Sequence, residues 1–341
     1  WFSEKKAIQM KKIILLPILI IASLTLFFLN KNDTTFSEEL SDFAVEDTAS
    51  IQKVFFADKH GNSVTVSRNS GTWLVDNKFK VRPEAIEYLL KTIKDIEVKH
   101  PVSNSLHDKV IKNLASSAVK VEIFTDNLDI AHKTYYVGGE AKDLIGSFML
   151  LENSSRAFVV YIPGFNGFLA PRYTIDGTTV ASDLWRDRTI FSYNSNDIKT
   201  ISVVNHEDAS KSFKMHLQDK FYSFTKNNTT KIIPDSQGQE YFNLFKSVKC
   251  EGFMNDFSKK DSIFNSTPFY TVRISDTNGK IDSIIAYHKE PKREDYMQEN
   301  GQKLEYDVDR MYAKFNSDLI LIQFYVFDKI LLRTPQFSVE K

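Results

Sequence analysis

The sequence predicts an α+β protein of mostly antiparallel sheet, built as a tandem duplication of one unit and preceded by a single N-terminal transmembrane helix. Three observations carry this expectation. An uncharged apolar run stands near the N-terminus, short β-branched and aromatic runs alternate with turn signals through the remainder, and the order of those runs repeats about halfway along the chain.

The apolar run is Ile13 to Leu29, IILLPILIIASLTLFFL, seventeen residues without a charge. As a helix it spans about 25 Å, the short end of a membrane crossing. Lys5, Lys6, Lys11 and Lys12 precede it, while Lys31, Asp33, Glu38 and Glu39 follow. The positive-inside rule then places the N-terminus in the cytoplasm and the body outside. A cleaved signal peptide starting at Met10 is the rival reading, against which the exit LTLFFLNKND offers no small-x-small cleavage site. Residues 1–12 are a cytoplasmic segment or an upstream remnant. Residues 30–47 are polar and acidic with isolated Phe36, Leu40 and Phe43, and are expected to be a spacer.

The first repeat is expected over 48–190. Ile51-Gln-Lys-Val54, a Gly61-Asn62 turn, Val64-Thr-Val66 and Trp73-Leu-Val75 form a meander. Pro83 opens a helix whose Ile86, Leu89, Leu90, Ile93 and Ile96 follow a helical stripe. An extended piece, Glu97 to Val102, follows, and then strands at Val119–Phe124, Lys133–Val137 and Arg156–Val160. The second repeat, 191–341, opens at Ile198-Lys-Thr-Ile201, an offset of 147 from Ile51. Phe213-Lys-Met215 and Phe221-Tyr-Ser-Phe224 continue it. Asp235 or Ser236 caps a helix carrying Tyr241, Phe242, Phe245 and Val248. Lys249–Phe253, Tyr270–Ile274, Ser283–Tyr287 and Arg310–Ala313 answer the later strands in order. The boundary falls near 183–197. Asp183 to Phe191 closes the first repeat, and Leu319 to Leu332, expected to be a buried helix or strand pair, is its counterpart.

Composition narrows the function classes. Lys plus Arg and Asp plus Glu are both 44, so no basic field points to nucleic acid. Cys250 is the one cysteine, which excludes disulfides within the chain and multi-thiolate metal centres. It follows Tyr241, Phe242, Leu244, Phe245 and Val248, the setting of a buried, inert thiol. The seven histidines show no H-x-x-x-H or H-E-x-x-H spacing, and the G-x-S-x-G, P-loop and G-x-G-x-x-G fingerprints are missing from the sequence. No cofactor, metal or catalytic residue is assigned. Gly138-Gly139 suggests a turn with positive φ or, alternatively, a backbone loop facing a ligand. Asp307 and Asp309, with Glu305, are an acidic cluster in reach of acid–base chemistry or of solvent, and Lys289 to Asp295 reads as a solvated loop.

The densest constellation is Trp185-Arg186-Asp187-Arg188. Two guanidinium groups that grip carboxylates or phosphates, beside an indole, make Trp185, Arg186 and Arg188 the candidate binding residues. The competing reading is a structural staple between the halves.

Several of these features together resemble a known family. They are the opening I-x-K-V, the Gly-Asn hairpin, the W-L-V strand, Arg82 before an I-x-x-L-L helix, Pro101-Val-Ser103, Tyr-Val-Gly-Gly139 and the W-R-D-R-x-I-F closure. The chain resembles a bacterial domain family of unknown function with one N-terminal membrane helix and an extracytoplasmic body, often found beside gliding-motility-type ABC transporter components. The resemblance implies location and association, without catalytic residues. The function expected is therefore a membrane-tethered, non-enzymatic accessory or binding module with protein partners in a transporter or envelope machine. An independent ligand-binding protein with a groove between the halves is the alternative, and a hydrolytic enzyme assembled from remote residues is a third reading.

Overall fold

In the computed structural model of the chain, residues 41–291 and 304–332 are described. The expected anchor at Ile13–Leu29 lies outside them, and among the described residues no helix is long and apolar enough to cross a membrane. The chain divides into two compact units, 1–185 and 186–341, a division inside the expected boundary zone.

Alternation of side chains sets the core side of the first unit. In β1 (Lys53–Ala57), Val54 and Phe56 are fully buried while Lys53 and Phe55 take the other face. β2 (Ser63–Asn69), β3 (Thr72–Val75) and β4 (Phe79–Lys80) complete the expected meander. With β5 (Glu97–Pro101), β6 (Val119–Phe124), β7 (Lys133–Glu140), β8 (Ser147–Leu151) and β9 (Phe158–Tyr161) they form a nine-stranded antiparallel sheet. Among the described residues its order is β4-β3-β2-β1-β6-β7-β8-β9-β5. Helix α1 (Pro83–Asp95) begins at its proline, where no amide is needed, and lays Ile86, Leu89 and Ile93 on the inner face. Trp73, on the same face, is only partly buried.

Two features of this unit were not anticipated. The described end of the expected spacer is core: Phe43 and Val45 are buried, and the Phe43 ring lies 6.0 Å from Tyr135 and 6.1 Å from Phe158. Val45 donates its amide to the Ile93 carbonyl, while Lys133 Nζ holds the Ala44 carbonyl at 2.6 Å and Asp42 at 2.9 Å. Two apolar side chains at i and i+2 suffice to commit an extended segment to a sheet core. The second feature is helix α2 (Asn104–Ser117), whose Leu106, Val110 and Leu114 cover Tyr136, Phe148 and Leu150 on the outer face. The i, i+4, i+8 spacing of those three residues was the available signal.

The second unit repeats this plan. β10 (Thr189–Phe191) pairs with β15 (Val248–Lys249). The main sheet contains β11 (Ile198–Asn205), β12 (Phe213–Gln218), β13 (Phe221–Lys226), β14 (Thr229–Ile233), β16 (Gly252–Phe253), β17 (Tyr270–Asp276), β18 (Ile281–Tyr287), β19 (Arg310–Phe315) and β20 (Asp318–Gln323). Its order among the described residues is β14-β13-β12-β11-β17-β18-β19-β20-β16, which is the first sheet's order with β16 in the place of β5. Register extends the match to single positions. Ile201 pairs with Met215 and Ile274 as Val54 pairs with Val66 and Ile123. Trp73 and Tyr222 then occupy equivalent places.

This register corrects two alignments. Arg310–Ala313 lies in β19, which stands where β8 stands, and β20 is the counterpart of β9, so Arg156–Val160 answers the later strand. Leu319–Leu332 is accordingly one strand followed by a helical turn at Phe324–Phe327, and does not correspond to Asp183–Phe191. The slip arose at Ser147–Leu151, directly after the Gly146 turn, where Met149, Leu150 and Leu151 lack the β-branched, alternating signature of a strand. In helix α3 (Asp235–Asn243) Pro234 occupies the N-cap position, Phe245 falls in a 3₁₀ turn and Val248 in β15. A short helix α4 (Lys260–Phe264) belongs to the segment whose Met254, Phe257, Ile263 and Phe264 cover Tyr287, Tyr312, Leu319 and Leu321 on the outer face.

Candidate functional site

Trp185 ends the first unit in a helical turn, Ser182–Trp185, and its indole is completely enclosed, with its ring centroid 5.1 Å from that of Phe56. Arg82 fixes the turn from the other side. Its amide donates to the Trp185 carbonyl at 2.8 Å, and its Nη2 to the Leu184 carbonyl at 2.6 Å. Sequence reasoning noticed Arg82 only as a family feature and missed this role, because a contact across 102 residues leaves no local pattern.

Arg186 opens the second unit and is almost wholly buried. Its Nη2 donates to Asp318 Oδ2 at 2.6 Å, and the guanidinium carbon stands 3.7 Å from the centre of the Phe253 ring. Asn255 Nδ2 donates to the other Asp318 oxygen at 2.8 Å, and Lys260 Nζ donates to Asn255 Oδ1 at 2.9 Å. The partly buried carboxylate therefore receives charge-assisted bonds on both oxygens. Asp187 turns back on its own strand, accepting from the amide and hydroxyl of Thr189. Arg188 is half-buried and its carbonyl accepts the Cys250 amide at 2.9 Å. The structure thus places the three candidate residues in different surroundings: Trp185 in a core, Arg186 in an ion pair, and Arg188 with partial access to solvent.

Burial pushes the Cys250 thiol up to about 11, outweighing the pull of Arg188 and Arg186 in the other direction. A thiol so protonated is a poor nucleophile at neutral pH. The acidic cluster is likewise engaged. Asp307 is buried against Lys289, which is itself buried, with Nζ and Oδ2 2.7 Å apart. Asp307 also accepts the amides of Asp309 and Arg310. Lys289, expected in a solvated loop, is drawn inside by a carboxylate eighteen residues later.

Gly138 and Gly139 lie within β7, and neither has positive φ. Gly138 is required by contact, since a Cβ there would stand 2.4 Å from Leu114 Cδ2 and 3.0 Å from the Phe148 carbonyl oxygen. Gly139 and Glu140 border two concavities of about 460 and 220 Å³ in the first unit, the larger of which also reaches Arg82 and Asp176. A third, of about 760 Å³, is lined by both signs of charge, including Lys94, Glu97 and Arg172. Arg172 is held there by Thr92 Oγ1 at 2.8 Å from its Nε and by the Tyr88 and Phe165 rings. Among the described residues no group of three or more His, Cys, Asp or Glu is gathered to hold a metal ion.

The fold and these contacts define an α+β protein of two like antiparallel units in which the most buried charges brace the framework. The model of a domain of unknown function, DUF4340, matches residues 73–265, more than half of the chain, and the chain belongs to that family. No curated protein and no solved structure matches it.

Proposed function

We propose that the chain is a membrane-tethered, extracytoplasmic module that works by docking onto partner proteins of a transporter or envelope machine, without catalysing a reaction. The two like sheets are read as a tandem duplication of one framework. The observation that carries the proposal is the outer face of each sheet. In the first unit α2 packs over the side of β7 and β8, and in the second the segment around α4 packs over β18 to β20. The outward side chains of β11 to β14 include the exposed Phe221 and Ile232. A rigid sheet with accessible side chains on one face presents a fixed surface to a partner at little cost in ordering.

The tether is tested by fusing a reporter that is active only outside the cytoplasm after Lys341 and by washing the membranes at alkaline pH. The expected result is an active reporter and a chain retained with the membrane. An inactive reporter, or release of an intact chain by the wash, contradicts the proposal.

A further inference from the structure

The open face of the second sheet has a charge pattern that its counterpart in the first lacks. Register lines up two rows of outward side chains across six strands. One row runs Thr230, Thr225, Lys214, Ser202, Arg273, Ser283. The next runs Ile232, Ser223, His216, Thr200, Ser275, Ile281. Neither row contains an acid. Lys214, Arg273 and the adjacent Lys199 are exposed, and among the described residues none of the three makes an ion pair. Lys214 and Lys199 act together on His216, which burial and these two charges hold below its ordinary pKa.

The first unit supplies an internal comparison. The positions equivalent to Lys214, His216 and Arg273 are Thr65, Ser67 and Glu122. There Glu122 binds Lys120 at 2.7 Å, and Glu152 binds the same lysine at 3.0 Å, while Lys53 turns to the Leu128 carbonyl and the Phe124 ring, so that face carries both signs of charge. The same framework thus carries a face of mixed charge in one unit and a cationic one in the other, in a chain whose total charge is zero.

We infer that the outer face of β11–β13 and β17 docks an acidic segment of a partner protein, its carboxylates meeting Lys214 and Arg273. Two strand spacings separate these cations by about 10 Å, a distance that carboxylates at i and i+3 of a polyproline II segment match, since three residues make one turn of about 9 Å and bring both to the same side. The hydroxyls of Ser202, Thr225 and Ser283 lie in the same row and offer further hydrogen bonds. Exposed Phe221, Ile232 and Ile281 supply apolar contacts at the margins. Three cations fall short of the roughly four to eight basic residues of a lipid-binding cluster, which favours a protein over an anionic membrane. The inference rests on the docking-module reading, but its test uses the purified chain, so either can fail without the other.

The probe is a labelled poly-L-glutamate of about twenty residues, compared with vesicles of about 30% phosphatidylserine, for the full chain and two double variants. Lys214→Glu with Arg273→Glu should weaken binding by about tenfold or more. Lys109→Glu with Lys112→Glu, an equal charge change on the exposed side of α2, should weaken it by no more than about twofold. Circular dichroism checks the fold. Should the reversal variant not fold, Lys214→Gln with Arg273→Gln should give a smaller loss in the same direction. No binding by the unaltered chain, equal losses in both variant pairs, or tighter binding to the vesicles than to polyglutamate would each overturn the inference.

Discussion

At the scale of single residues the framework depends on charges held in pairs, Arg186 with Asp318 and Lys289 with Asp307. Arg186→Ala leaves Asp318 facing a cavity beside Phe253 with only Asn255 to satisfy it. Breaking one side of such a pair should lower the unfolding free energy by about 3 kcal/mol. Urea unfolding measures this, and Arg186→Met combined with Asp318→Asn should recover part of the loss, because no charge is then left unmatched. A change within experimental error for Arg186→Ala would show that the pair is solvated in solution. The candidate segment was legible as a concentration of charge and indole, but the partner that decides the role of Arg186 lies 132 residues away and carried no signal of its own.

Carboxylates set the response to acid. Burial pushes Asp307 up, but Lys289 and the amides of Asp309 and Arg310 outweigh it and hold the group below the ordinary range. Asp58 is held low in the same way, with burial opposed by the Asn62 side chain and the amides of Asn62, Val180 and His60. A folded-state pKa below the unfolded value means that the unfolded chain takes up protons first. The stability these groups contribute is complete above the ordinary carboxylate pKa and is lost as pH falls through it toward the folded value. Unfolding free energy should therefore decline below about pH 4, and Asp307→Asn should make that decline shallower while lowering stability near neutrality. Stability that rises on acidification from about pH 5 to pH 3 would contradict this assignment.

At the scale of elements, close packing overrides local propensity. Gly238 lies inside α3, where alanine is intrinsically better by about 1 kcal/mol. A Cβ at that position would stand 2.1 Å from Tyr222 Cγ, nearer than any real contact, so helix and β13 must separate. Gly238→Ala should therefore lower stability by about 1–3 kcal/mol despite its propensity gain, and adding Tyr222→Ala should relieve only the ring's share of the clash, because the Tyr222 Cβ would still stand 2.5 Å from the new methyl group. A net stabilisation by Gly238→Ala would show that the tyrosine moves aside freely.

The same scale shows what the sequence made readable. The opening meanders and α1 announce themselves through alternation, a Gly-Asn turn and a proline-led apolar stripe, and they were located closely. α2 carries a sparser stripe because it covers an outer face beside solvent, and β8 is hidden by a Met-Leu-Leu run that lacks a strand's β-branched signature. Phe43 and Val45 were masked by acidic neighbours, although their spacing is that of a strand edge. In each case the deciding interaction is packing against residues distant in sequence, which periodicity cannot register.

At the scale of the whole molecule, the recurrence of one strand order in two units explains how a chain poor in Gly and Pro builds so much antiparallel sheet. Each unit closes its own aromatic-rich core. Core positions exchange one apolar side chain for another, Val54 for Ile201 and Val66 for Met215, whereas the outer face changes sign: Glu122 in one sheet is Arg273 in the other. A duplicated framework can keep its stability while one copy acquires a surface for another molecule. The account therefore locates function in an interface and treats the buried ion pairs as support for it.

The central claim, that this chain acts by docking onto partner proteins at the membrane, is tested most directly by crosslinking cells that produce the full chain, solubilising the membranes and purifying the chain under stringent washing. The account predicts that defined partner subunits of a transporter or envelope complex co-purify in fixed stoichiometry, and that their recovery falls when Lys214 and Arg273 are both replaced by glutamate. Recovery of the chain alone, with the membranes intact before solubilisation and the crosslinker shown to be active on other complexes, would contradict it.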